Sequence, residues 1–158
     1  MSWLASPLHS AAAAQLCLVR SRRVRFHDFH LAGYHVFDSG GTIVLHLLYD
    51  YPGQPRETSQ ITFAGVSAYH FVHTGGAIIT DVEEVPLSQL LTEIGAQLAE
   101  WWRLHGGYAH WSDDPAKYAE TLQQTGHRAW RISSAIGFEG FVIAKSVQDT
   151  ENAITREI

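Results

Sequence analysis

Cysteine, charge and long apolar runs are all scarce in this sequence, and each scarcity excludes a class of protein. The 158 residues include one cysteine, Cys17, so no internal disulfide can form, which fits a reducing compartment. No apolar run approaches the roughly 20 residues that a membrane-spanning helix needs. Residues 4–19 are apolar, but no Lys or Arg precedes them, as one would in a secretory signal. The sequence therefore predicts a cytoplasmic protein with no membrane partner.

The balance of residue types is that of a globular protein. Hydrophobic residues make up 46% of the chain and charged residues 17%. The length suits one domain, so residues 1–158 are predicted to form a single globular unit. The polar segment 148–158 is predicted to be a loosely ordered tail. The net charge of −5 argues against a protein that binds nucleic acid, and no specific nucleic-acid partner is predicted.

Four arginines oppose the acidic balance. They are Arg20, Arg22, Arg23 and Arg25, crowded into six positions. Such a cluster can contact phosphates or an acidic partner. It can also be the solvated face of an edge strand, where charge discourages pairing between sheets, and we favour this interpretation. Pairing of that edge with a second copy would instead give a self-associating structural protein.

Complete catalytic motifs are absent as well. The sequence contains no HExxH, no H-x-E with C-x-x-C, no G-x-S-x-G, no phosphate-binding G-x-x-x-x-G-K-[ST] and no G-x-G-x-x-G after a strand. No catalytic residue, cofactor or metal centre is therefore predicted from motifs. No protein family is identified either. A compact acidic domain without a catalytic signature is common among small bacterial inhibitor and accessory proteins.

Hydrophobic periodicity predicts an α+β fold, with a mainly antiparallel sheet and helices packed on one face. Helices are expected at 7–18, from Leu87 to Trp102 and after Pro115. The apolar stripe of the second helix includes Trp101 and Trp102, which are expected in the core. The segment Ser112-Asp113-Asp114-Pro115 supplies the cap of the third helix, whose expected buried side is Tyr118, Ala119 and Leu122. Strands are expected up to Phe29 and at 33–37, 42–51, 58–63, 68–73 and 77–85, with a last hairpin at 127–147. In the strand at 42–51, the alternating residues Ile43, Leu45, Leu47 and Tyr49 are expected to face the core. Glycines mark the expected turns, because they tolerate a positive φ: Gly40-Gly41, Gly75-Gly76 and the segment 137–140.

Histidine is unusually frequent, with ten in the chain. Histidine is the commonest metal ligand and the usual general base near neutral pH, so histidines that the spacing brings together are candidate sites. His35 and His46 would share one sheet face and lie opposite each other if Gly40-Gly41 centred the hairpin. His70 would face Asp81 if Gly75-Gly76 centred the next one. Each pair could form a ligand site or simply a cross-strand contact.

An aromatic loop between the last two helices is the other candidate. Tyr108 and Trp111 stand there beside Asp113 and Asp114. Exposed aromatic residues next to acids are typical anchors of protein interfaces. The alternative is that Trp111 only covers the edge of the core.

Two functions follow from these patterns. The first is a non-catalytic protein-binding module, such as an inhibitor or immunity-type partner of a basic enzyme, since an acidic surface speeds association with a basic protein. The second is a small enzyme or metal-binding protein that uses the histidine-rich sheet face. The sequence leaves both open, together with the oligomeric state.

Overall fold

A computed structural model describes residues 26–105 and 114–153 of the chain. The predicted helix at 7–18 and the cluster from Arg20 to Arg25 lie outside these residues. The elements, in chain order, are β1 (Phe29–Phe37), β2 (Thr42–Tyr49), β3 (Glu57–Ala64), β4 (Ala68–Val85), α1 (Leu87–Glu93), α2 (Gly95–His105), α3 (Pro115–Gln124), β5 (Arg128–Ala144) and β6 (Ser146–Ala153). No helix within the described residues is long and apolar enough to cross a membrane.

The six strands form one sheet in the order β5-β4-β1-β2-β3-β6, and every neighbouring pair is antiparallel. The predicted α+β class with a mainly antiparallel sheet is therefore confirmed. One residue, Lys145, separates β5 from β6, although these two strands stand at opposite ends of the order. The sheet must curl to bring its ends together, and it forms a half-barrel. The amide of Lys145 donates to the carbonyl of Ala64 at 3.0 Å, and the amide of Ser67 donates to that of Ile143 at 2.8 Å.

The inside of the half-barrel holds the larger core. Strand alternation is clearest in β2, where Ile43, Leu45 and Leu47 point inward and are almost fully buried. The same core includes Phe63 and Trp130, whose rings are 5.7 Å apart. The prediction that these residues of β2 face the core is thus confirmed. Apolar side chains at every second position of a strand lie on one face and are buried together.

A second core joins the helices to β4 and β5. It combines Leu90, Leu91 and Leu98 of α1 and α2 with Tyr118, Ala119 and Leu122 of α3. The predicted buried side of α3 is therefore confirmed. From β5, Phe141 and Ile143 join this core, whereas Val142 and Ala144 belong to the inner one. Successive residues of β5 thus serve two cores. That the helices cover a single face of the sheet remains a prediction.

The predicted helix from Leu87 to Trp102 is divided into two. Ile94 leaves helical geometry, with φ −93° and ψ 6°, and separates α1 from α2. The hydrogen bonds of Ile94 to Leu90 and of Leu98 to Ile94 are kept, so the second helix continues from the first.

The expected hairpin turn at Gly75-Gly76 does not exist. β4 runs without a break from Ala68 to Val85 and pairs with β5 along its length. The two glycines take positive φ values of 88° and 62°, and the register with β5 shifts between His73 and Ile78. A positive φ serves a bulge inside a strand as well as a turn, and this explains the error.

The glycine-rich segment 137–140 is also not a turn, because it lies inside β5. Here the glycines allow two backbones to approach closely. A Cβ on Gly137 would lie 2.4 Å from the carbonyl oxygen of Gly75, and one on Gly140 would lie 2.2 Å from that of His70. The expected final hairpin is therefore wrong, since both sides of the glycine pair belong to one strand.

The predicted loose tail is wrong for residues 148–153, which lie in β6 and pair with β3. The hydroxyl of Ser59 donates to the carbonyl of Thr150 at 2.9 Å. A polar edge strand is held by its backbone ladder, which a hydropathy pattern does not reveal. Residues 154–158 lie outside the described part of the chain.

Gly140→Ala should destabilise the fold by about 2 kcal/mol or more, because its new methyl group would strike the backbone of β4. Gly33→Ala is the matched control, since a Cβ there meets nothing within 4 Å. Urea unfolding followed by circular dichroism measures both. Equal stability of the two variants would show that β4 and β5 do not approach each other at this glycine.

Candidate functional site

His35 and His46 do come together, with ring centroids 4.9 Å apart in an edge-to-face arrangement. They share a sheet face, as expected, but they are diagonal neighbours rather than opposite ones. Phe37 pairs with Thr42, which centres the hairpin one residue earlier and places His46 opposite Gly33. The expected direct pairing is therefore wrong, because a short 3₁₀ turn at Asp38–Gly40 sets the register.

His46 has one feature that points to a ligand. Its Nε2 atom is buried and makes no hydrogen bond. A buried polar atom without a partner is costly, and such atoms need an explanation. Among the described residues, however, no group of three or more His, Cys, Asp or Glu could hold a metal ion.

His70 and Asp81 are separated by the structure. Both lie on β4, where His70 pairs with Phe141 and Asp81 pairs with Ser133. Their expected contact required a hairpin at Gly75-Gly76, and without that turn the two residues are eleven positions apart along one strand. The predicted pair is therefore wrong.

His70 instead lies in a cleft between the helices and the β4–β5 pair, here called the His70 cleft. Its volume is about 510 Å³, a size usual for small-ligand sites. The walls come from α1 and α2 on one side and from the two strands on the other. Its polar lining comprises His70, Glu93, Gln97, Arg131, Ser133, Ser134 and Glu139. The ring of His70 packs against Trp101 of α2, with centroids 5.3 Å apart.

Several polar groups of the His70 cleft are already engaged. Arg131 donates to the carboxylate of Glu93, which joins β5 to α1. The hydroxyl of Ser134 donates to the carbonyl of Ile136 at 2.9 Å and accepts from the amide of Phe138 at 3.1 Å. Ser134 thus holds the backbone of β5 and is not a nucleophile aimed at the cleft.

Of the polar residues that line this cleft, only His70 was predicted from the sequence to belong to a site. Glu93 and Arg131 are 38 positions apart, and no local pattern links them. Glu139 was assigned to a turn that does not form. One signal was available in the sequence. Apart from its two glycines, the segment 137–140 contains none of the residues typical of turns. Glycines there fit a close approach of two backbones as well as they fit a hairpin turn.

Of the four residues proposed for partner binding, Tyr108, Trp111 and Asp113 lie outside the described part of the chain. Asp114 caps α3, and its carboxylate accepts from the amides of Ala116 and Lys117 at 2.9 and 3.2 Å. Its role in starting the helix is therefore structural, as the sequence signal for a cap predicts.

The last turns of α2 expose large apolar side chains. Trp102 is 43% exposed and Leu104 is 56% exposed. The sequence placed both Trp101 and Trp102 in the core. Trp101 is half-buried and packs on the second core, but the expectation for Trp102 is wrong. The two residues are adjacent and 100° apart around the helix, so only one can face the strands.

The described part of the chain is more acidic than the whole. It holds fourteen of the 16 Asp and Glu residues but only six of the 11 Lys and Arg residues. Four of those six cations lie in ion pairs, at Arg56, Arg103, Arg128 and Arg131. The charge left without compensation is therefore negative. On α2, the hydrogen bond from Arg103 lowers the pKa of Glu100 below its ordinary value.

Comparison with known proteins gives no functional assignment. No family model and no curated protein matches the chain. A crystal structure of an uncharacterized protein from Neisseria gonorrhoeae is similar over 82% of this chain and 95% of that one, with 10% identity and a TM-score of 0.45. Similarity at this level carries no inference about function.

His127 should make the stability of the protein sensitive to acid. Burial and the positive charge of Lys145 lower the pKa of His127 below its ordinary value. The unfolded chain then takes up this proton more readily, so stability falls as the pH drops through about 6.5, the usual histidine pKa. His127→Gln should lose less thermal stability between pH 8 and pH 5 than the natural protein. Calorimetry at the two pH values measures this loss. An equal loss in both proteins would show that the acid sensitivity comes from groups other than His127.

Proposed function

We propose that this chain is a protein-binding module without catalysis of its own, of the kind that inhibits or accompanies a basic enzyme. The observation that carries the proposal is the exposed apolar end of α2. Trp102 and Leu104 are exposed to solvent there, and large exposed apolar side chains are typical of interaction sites.

This surface suits an interface in composition and in position. Tryptophan is the residue type most enriched among those that dominate binding energy, because it buries a large area with few rotatable bonds. Trp102 and Leu104 immediately precede the segment 106–113, which contains Tyr108 and Trp111. The exposed Trp102 is close in sequence to these aromatic residues and supports the segment 106–113 as the partner-binding region.

Charge supports a basic partner. The excess of carboxylates over cations in the described residues gives a negative field, which raises the rate of encounter with a positive protein. Asp113 and Asp114 border the same region. The cap formed by Asp114 uses its carboxylate locally, but the negative charge still contributes to the field at longer range.

The partner can be found by crosslinking the tagged full chain in its own source and identifying the captured protein by mass spectrometry. With that protein purified, Trp102→Ala should weaken binding at least tenfold, as expected for a central aromatic anchor. Ile136→Ala is the matched control, because Ile136 is 58% exposed but belongs to β5. Equal losses in the two variants would remove the end of α2 from the interface.

Replacing both Asp113 and Asp114 by Asn tests the charge in the same experiment. Asn caps a helix nearly as well as Asp, so α3 should be kept while two charges are lost. The association rate should fall and depend less on salt. An unchanged rate would contradict an electrostatic role for this region.

A second candidate function rests on the unpartnered Nε2 of His46. Together with His35, it supports a small metal or ligand site on the outer sheet face. Native mass spectrometry of the protein from its own source should then show an added metal or small molecule. His46→Ala should lose that mass with little change in unfolding temperature, and a variant that keeps it would exclude His46 as a ligand.

A further inference from the structure

We infer that the His70 cleft binds a flat organic cation, such as a guanidinium group. The inference does not rest on the proposed function, because it concerns the walls of a cavity rather than the exposed end of α2. It follows from the size of the cleft, from the aromatic rings that line it, and from the charges that remain unpaired.

The cleft is large enough for a small organic group. Its volume of about 510 Å³ exceeds what one side chain fills, and it lies between α1, α2 and the strands. The ring of His70 lines it and is held in place against Trp101 at 5.3 Å. Phe141, opposite His70 in the register, also lines the cleft, so a flat cation bound there could contact aromatic carbon.

The charges of the cleft select against an anion. Arg131 is the cation of the lining, and it is engaged by Glu93. A carboxylate or phosphate would have to compete with that ion pair for the guanidinium. Glu139 lies at the lip, opposite Val72 in the register, and is exposed. Within the described residues no ion pair is formed by Glu139, so its carboxylate can receive a cation.

Neighbouring residues strengthen the same field. Asp81 and Glu83 of β4 are the register partners of Ser133 and Arg131, and paired residues share a sheet face. The strand face that lines the cleft thus carries more acid than base. Gln97 and Ser133 supply neutral polar groups that can accept hydrogen bonds from the N–H groups of the ligand.

The test is a titration of the ¹⁵N-labelled full chain with arginine methyl ester, followed by NMR. We expect saturable shifts at the amides of His70, Gln97, Ser133 and Glu139, with a Kd on the order of 1 mM, as for a small ligand with few contacts. Citrulline methyl ester has nearly the same shape and the same α-amino group, but a neutral urea replaces the guanidinium, so it should bind at least tenfold more weakly. Absent shifts, or equal affinity for the two esters, would overturn the inference.

Variants assign the binding to the cleft. Glu139→Gln should weaken binding of the ester at least fivefold. Val72→Lys should weaken it as well, because Val72 is exposed beside the cleft and a lysine there would repel a cation. Glu57→Gln, an exposed carboxylate on β3, is the control for loss of net charge and should change the Kd by less than twofold. If Glu57→Gln and Glu139→Gln have equal effects, the binding is non-specific and the inference fails.

A separate arm of the same experiment identifies the source of the cation. A blocked Gly-Arg-Gly peptide that binds at least as tightly as the ester indicates a side chain of a protein. A peptide that binds much more weakly indicates a free small molecule. Both results support a cation site. Failure of both probes contradicts it, as do equal affinities for the two esters or equal effects of Glu57→Gln and Glu139→Gln.

Discussion

The pairing of β4 with β5 is the constraint on which the rest of this structure depends. These two strands are the longest in the sheet, and both of their faces are used. One face completes the inside of the half-barrel with Val82, Trp130 and Ile132, and the other joins the helices through Phe141 and Ile143. Because alternate residues along a strand point to opposite sides, one ribbon can support two cores only if its register is fixed.

Glycine allows that register. The backbones of β4 and β5 approach so closely at Gly137 and Gly140 that no side chain fits between them. The bulge at Gly75-Gly76 then bends β4 where its partner continues. Bulges of this kind increase the local twist of a strand pair, which suits a curled sheet. The His70 cleft lies between this strand pair and the helices α1 and α2.

The exposed end of α2 and the His70 cleft are joined through two adjacent tryptophans. Trp101 packs on the second core and supports His70, whereas Trp102 faces water. The two proposed sites are chemically different, and α2 contributes residues to both.

Local patterns in the sequence determined the class of the fold, the inward face of β2, the buried side of α3 and its cap at Asp114. These features depend on residues within a few positions of one another, where the period of the side chains and the capping hydrogen bonds act. Only the tertiary structure decided which strands pair, that the segment 148–153 is a strand, that His70 and Asp81 are apart, and that Glu93 meets Arg131. Those outcomes depend on contacts between distant parts of the chain. A glycine that permits a turn also permits a bulge or a close approach, and only the neighbouring backbone distinguishes the three.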